Sequence, residues 1–247
     1  MDARPARLPV LVVQHGPQGG PRRVGVWLAE AGLELRVVHG HAGDDVPERP
    51  DGHAAVVVLG GGYLPDDDHR APWLAPTRRL VAAALDTGVP VLGICLGGQL
   101  LAHVAGGTVE GESGAPEFGS TRLTLRPEAA DDPLFHGLPA EVTAIERHVD
   151  RITVLPPGAH WLMESRVCPH QAFRVGATAW GTQFHPEVPA DRLAEWDPEP
   201  LRRRGLDPDE LARRAAAAEP AAQAVWRKVT DRFARVVAET ARSGRRG

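Results

Sequence analysis

Cys95 stands between two glycines in the run Val91-Leu92-Gly93-Ile94-Cys95-Leu96-Gly97-Gly98. An apolar stretch, Val89 to Ile94, there gives way to a helical pattern, Leu96 to Ala105. A buried strand that turns at once into a helix exposes the residue at the turn. Glycines two before and two after it let backbones approach where a Cβ would clash. A cysteine so placed lies at a helix N-terminus, where the dipole and unpaired N–H groups favour a thiolate and can hold a developing oxyanion. The other reading of the same residues is a small buried cysteine beside a turn.

A cysteine nucleophile needs a base, and the base needs an acid that orients it. The segment Gly181-Thr182-Gln183-Phe184-His185-Pro186-Glu187 offers both. Ala177 to Phe184 has strand character and His185 stands at its exit. Pro186 biases His185 towards an extended conformation. Residues two apart in an extended segment point to the same side, so His185 and Glu187 are expected to meet. In isolation the segment also reads as a surface turn.

Together, Gly-Ile-Cys-Leu-Gly-Gly-Gln and the distant Gln-Phe-His-Pro-Glu resemble the class I glutamine amidotransferase family, from about Val10 to about Val188. The resemblance is to stand-alone members similar to the glutaminase domain of GMP synthase. It implies a triad in which Cys95 attacks, His185 shuttles the proton and Glu187 orients His185. It implies an oxyanion hole from the N–H groups of Gly61 and Leu96, and no metal or organic cofactor. By the same resemblance Gln99, one helical turn after Cys95, contacts a small-molecule substrate, glutamine. His148, Val149 and Asp150 occupy the segment that holds its α-amino and α-carboxylate groups. Two departures stand out: Gly62 replaces the usual proline of a Gly-Gly-Pro loop, and the branched Val149 occupies a position where relatives carry a small residue.

The elements that must position these groups alternate. Strands are expected over Leu8–Gln14, Leu33–Val38, Ala54–Leu59 and Val89–Ile94, with helices over Val24–Ala31, Trp73–Leu85 and Leu96–Ala105. Short apolar strands alternating with helices predict an α/β fold: a doubly wound, mostly parallel sheet flanked by helices, flavodoxin-like, with its site beyond the carboxyl ends of the strands. Thr121–Leu125 alternates and reads as an antiparallel strand, followed by Glu141–Ile145 and a pair, Trp161–Ser165 and Gln171–Val175. The expected organisation is a catalytic domain over residues 1–190 and a helical extension over 191–247 that packs on it. Pro189–Trp196 reads as a short helix. Asp207-Pro208-Asp209-Glu210 reads as a helix start, and Ala221–Ala238 as a further helix with Trp226, Val229, Phe233 and Val237 on one stripe.

Composition narrows the classes. The formal net charge of the 247 residues is −4, which argues against a nucleic-acid or membrane-surface partner. No apolar run approaches the roughly 20 residues of a membrane span, and Met1-Asp2-Ala3-Arg4 lacks a signal-peptide pattern. Two cysteines, Cys95 and Cys168, do not make a disulfide framework; a cytoplasmic location is expected. Cys168, with no elbow around it, reads as a packed residue. Asp66-Asp67-Asp68-His69 reads as a solvated acidic loop rather than a metal site. The leading expectation is a glutaminase that passes ammonia to a synthetase partner, since no ATP-binding motif occurs. The runner-up is a stand-alone hydrolase of γ-glutamyl amides or peptides with the same triad. A non-catalytic regulatory subunit is the third.

Overall fold

The computed structural model describes residues 7–244; the Met1–Arg4 segment lies outside them. Eleven strands and five α-helices follow one another in the described chain. The first half is β1 (Leu8–Gln14), α1 (Arg22–Glu30), β2 (Leu33–His39), β3 (Ala55–Val58), α2 (Leu74–Thr87), β4 (Val91–Ile94) and α3 (Leu96–Val104). These are the alternating elements expected, within a residue or two at most ends. The valine-rich β1, β3 and β4 are covered on both faces, so they read as unbroken apolar runs rather than as alternation.

The main sheet has nine strands in the order β2-β1-β3-β4-β11-β10-β9-β6-β7. Here β6 is Glu117–Leu125, β7 Glu141–His148, β9 His160–Glu164, β10 Ala172–Val175 and β11 Ala179–Thr182. The half from β2 to β11 is parallel, and the half from β11 to β7 is antiparallel. The remaining pair, β5 (Thr108–Glu110) and β8 (Arg151–Val154), forms a small antiparallel ribbon. Two strands run longer than the alternation suggests: β6 starts at Glu117 and β7 continues to His148. Their extra residues bury Glu117, Glu146 and His148, polar groups that hide a strand from a hydrophobic pattern.

The end of the chain differs from the expectation in its helices. Ala190–Glu195 is a 3-10 turn, α4 is Pro198–Arg203, and the two expected helices after Asp207 are one, α5, over Pro208–Gly244 with Pro220 inside it. Pro220 removes one N–H donor but does not end the helix, because an apolar stripe on the following turns is anchored to the sheet. Trp226, Phe233 and Val237 are buried in the same cluster as Val12, Val57, Leu92 and Phe184. Trp226 stacks on Phe184 with centroids 4.7 Å apart and donates its indole N–H to the Thr143 carbonyl at 2.9 Å.

Candidate active site

Cys95 joins β4 to α3 with φ 52° and ψ −109°. A side-chain-bearing residue rarely adopts positive φ, and such strain persists only where the surroundings enforce it. The surrounding glycines show what enforces it. A Cβ on Gly97 would fall 1.9 Å from the Val58 carbonyl oxygen, one on Gly93 2.4 Å from the Gly97 oxygen, and one on Gly98 2.5 Å from the Thr182 oxygen. Three backbones therefore meet under the turn, and only glycine permits it.

His185 reaches Cys95 across a gap of ninety positions through sheet register. In the parallel pair β4·β11, Ile94 lies opposite Thr182, and the Cys95 N–H donates to the Thr182 carbonyl at 2.8 Å. The chain leaving β11 thus emerges beside the elbow. His185 is then fixed by its own N–H, which donates to Ile145 at 2.8 Å. Its Nδ1 is 2.7 Å from Glu187 Oε1. The expected meeting of the two side chains occurs, but by a different local geometry: the Val188 N–H bonds to the His185 carbonyl at 3.3 Å, so His185-Pro186-Glu187-Val188 is a turn with proline at its second position rather than a continued extended segment. Arg23 holds this turn, donating to the Pro186 carbonyl at 2.7 Å while pairing with Glu219 of α5 at 2.5 Å.

Burial alone pushes the His185 imidazole towards neutrality. The Glu187 carboxylate and the adjoining Cys95 sulfur outweigh it and hold the His185 pKa well above that of a free imidazole. Glu187 is buried and its Oε2 has no partner among the described residues, so the carboxylate is committed to His185. Gly60 makes room for the imidazole, since a Cβ there would come 2.9 Å from His185 Cε1. Gly61 packs against Leu96 in the same way, at 2.8 Å from Cδ2. Leu96 opens α3, whose leading N–H groups have no acceptor within the helix.

Cys95, His185 and Glu187 line one cleft of about 330 Å³, together with Gln18, Gly19, Arg22, Gly60–Gly62, Arg147, Val188, Arg192, Glu195 and Trp196. Cys95, His185, Glu187 and Gly61 are thus brought together, while Leu96 is not among the lining residues. Gln99, His148, Val149 and Asp150 are not among the residues lining this cleft. Gln99 is buried, and its amide donates to the Asp150 carbonyl and to Gln183 Oε1, both at 3.2 Å. Gln183 in turn reaches the Cys95 sulfur at 3.8 Å, so Gln99 touches Cys95 through an intermediary. His148 is held at Nδ1 by the Asp150 carbonyl at 3.0 Å and at Nε2 by Glu117 at 3.2 Å. The Asp150 carboxylate accepts from the Glu112 N–H at 2.9 Å, and Val149 is half-buried.

Behind the elbow, Glu117, Glu146, His148, Gln171 and Cys168 form a buried polar cluster. Gln171 donates to Glu117 at 2.6 Å. The ligand atoms of Glu117, His148 and Cys168 lie within 4.8 Å of one another. Burial, with Glu117 nearby, pushes the Glu146 carboxyl well above the usual range. Burial likewise pushes the Cys168 thiol up to about 12, which leaves it a thiol. The acidic loop is spent on arginine: Arg78 grips Asp68 at 2.8 and 2.6 Å, and Arg70 pairs with Asp67 at 2.9 Å.

Sequence reasoning missed three kinds of site residue. His15 lies under the glycine loop, its ring accepting from the Trp73 indole N–H at 3.0 Å. Burial, with His41 nearby, lowers its pKa to about 4, so it is neutral. Arg22 and Arg147 line the cleft from distant segments, and Trp196 lines it from the residue after the 3-10 turn Ala190–Glu195. The one readable signal was in β7, where Glu146 and His148 alternate with Arg147 and so leave the arginine on the opposite face.

Fold and site define a doubly wound α/β protein built around a strained cysteine with a histidine–carboxylate pair. The chain belongs to the family described as Glutamine amidotransferase class-I, whose model it matches over residues 27–206. It is 38% identical over 144 residues to the GMP synthase [glutamine-hydrolyzing] of Porphyromonas gingivalis, an alignment covering 58% of this chain and 26% of that protein. The chain thus matches about a quarter of that relative's length. A crystal structure of a glutamine amidotransferase from Thermotoga maritima superposes with TM-score 0.83 at 24% identity, covering 93% of this chain and 99% of that one. One from Methylobacillus flagellatus superposes with TM-score 0.82 at 28% identity, covering 92% and 94%. No described helix is long and apolar enough to cross a membrane.

Proposed function

We propose that this chain cleaves the γ-amide of glutamine or of a γ-glutamyl compound through a thioester on Cys95. The observation that carries this reading is the His185–Glu187 contact of 2.7 Å set beside a cysteine held at φ 52° on the wall of one cleft. The Cys95 sulfur attacks the γ-carbonyl carbon. The oxyanion that forms is held by the N–H groups of Gly61 and Leu96, donors worth roughly 3 kcal/mol each in comparable acyl transfer. His185 gives a proton to the departing nitrogen as the C–N bond breaks, and ammonia or an amine leaves. Water then attacks the thioester, His185 takes its proton, and the Cys95 sulfur departs with glutamate released. Glu187 keeps the imidazole oriented throughout. Gln99 and Gln183 position the Cys95 sulfur from behind.

The resemblance to GMP synthase supports glutamine as substrate and a synthetase partner as acceptor of the ammonia, since the matched part is a quarter of that enzyme. A second reading, hydrolysis of γ-glutamyl amides or peptides without a partner, is favoured by the arginines of the cleft, which an uncharged leaving ammonia does not need. The purified chain is expected to release glutamate from glutamine or a γ-glutamyl amide, and Cys95→Ser is expected to abolish it. Equal release by the Cys95→Ser chain would refute the reading.

A further inference from the structure

Six charged side chains line the cleft, His185 among them, and their pairing is uneven. Glu187 is held by His185 at 2.7 Å, and Glu195 by Arg192 at 2.6 Å. Arg22 and Arg147 face the same cleft and, among the described residues, neither forms an ion pair with a carboxylate. Asp197 and the Cys95 sulfur are the charges that act on Arg147, and Asp197 does not bond to it. A guanidinium carries five donors in a planar fork suited to a carboxylate.

Both arginines are held in place without using that fork up. Arg147 lies over the Trp196 ring with its guanidinium carbon 5.0 Å from the centroid, a stacking that leaves its N–H edge free. Arg22 sits at φ 41°, a conformation costly for a side-chain-bearing residue, and donates one N–H to the Gln18 carbonyl at 2.5 Å. Strained backbone of this kind is concentrated where ligands are clamped. Arg22 is also the first residue of α1, so the helix dipole adds to the positive field on that wall.

We infer that Arg22 and Arg147 bind a carboxylate on the amine side of the scissile bond, so that the substrate is a γ-glutamyl amino acid or peptide rather than a simple amide. The inference rests on the Cys95 thioester reading for its chemistry but not for its binding step. Both arginines share one cleft of about 330 Å³ with the nucleophile, a volume that accommodates a dipeptide. Released ammonia would meet two unpaired cations there, whereas a departing amino acid would carry the matching anion.

The test uses the full chain bearing Cys95→Ser, which binds without turning over, and two ligands that differ in the leaving-side carboxylate: γ-glutamylglycine and γ-glutamyl methylamide. Calorimetry is expected to show tighter binding of γ-glutamylglycine, with the preference reduced about tenfold to a hundredfold by Arg147→Gln or Arg22→Gln, and reduced by added salt. Equal affinity for the two ligands would overturn the inference. So would an equal loss for both ligands in the arginine variants, because that places the arginines on the glutamyl α-carboxylate. Turnover by the unsubstituted chain is scored separately. Absence of Cys95-dependent glutamate release from either compound rejects the thioester reading, while the calorimetric preference stands or falls without it.

Discussion

Replacing Glu187 by glutamine changes one atom and separates the two things the carboxylate does. In the native site Oε1 accepts from His185 Nδ1 at 2.7 Å and Oε2 is buried with no partner among the described residues. An amide can take either orientation there. With its oxygen towards His185, the NH2 group replaces the unpartnered Oε2 and becomes a buried orphan donor, costing about 1–3 kcal/mol. With its NH2 towards His185, the imidazole must carry its proton on Nε2, and the ring can no longer accept one from Cys95. Loss of the carboxylate of a catalytic triad lowers turnover by on the order of 10⁴-fold, and a loss between about 10² and 10⁴ is expected here. The pH dependence shifts as well. The His185 pKa in the fold stands well above the ordinary 6.5 because Glu187 and Cys95 favour the charged ring. The stability so gained is fully present below about pH 6.5 and is lost as pH rises through the folded pKa. Glu187→Gln removes the largest favourable charge, so its Tm relative to the native chain falls most at low pH and least at high pH. Glutamate release with the preferred substrate and thermal unfolding from pH 5 to 9 measure both. Turnover within threefold of native with a parallel Tm–pH curve would refute the assigned role of the pair.

Three further outcomes follow from the packing around the elbow. Gly97→Ala forces a Cβ to within 1.9 Å of the Val58 carbonyl oxygen and is expected to destabilise by about 3 kcal/mol or more. Gly62→Ala, with nothing within 4 Å of the new atom, is expected to stay within roughly 0.5 kcal/mol; chemical denaturation compares them. Glu146→Gln replaces a buried carboxyl whose oxygens make no hydrogen bond among the described residues, with His148 Nε2 3.5 Å away, and whose pKa is raised. A raised carboxyl costs stability as pH climbs from the unfolded value, about 4.5, through the folded one, so this variant is expected to be more stable than native by about 1–3 kcal/mol at pH 8 and to lose that advantage near pH 4.5. An equal shift in Tm at both pH values would contradict the electrostatic assignment.

What the sequence revealed and what it hid divide along physical lines. Cys95 was legible because a strand that turns at once into a helix leaves a fixed glycine spacing in the text. His185 and Glu187 were legible because the base and its orienting acid lie two residues apart. The parallel half of the fold was legible because β1, β3 and β4 are buried on both faces and read as apolar runs. The ends of β6 and β7 were not, because Glu117, Glu146 and His148 are polar yet buried, satisfied in part by Gln171 across the sheet. That same network explains why Gln99 and His148 lie behind the elbow rather than on the cleft wall. Arg22, Arg147 and Trp196 converge from three distant segments, and no local pattern reports such a meeting. The continuity of α5 through Pro220 was hidden because tertiary anchoring by Trp226 and Phe233 overrides a local breaker.

The central claim is that Cys95 carries the acyl group. The direct measurement is intact-mass analysis of the chain after rapid acid quenching during turnover of glutamine and of γ-glutamylglycine, with peptide mapping of any adduct. The account predicts an increment of one γ-glutamyl group on the peptide containing Cys95, absent from the Cys95→Ser chain and never on Cys168. Glutamate release undiminished in the Cys95→Ser chain, or an adduct mapped to any other residue, would contradict it.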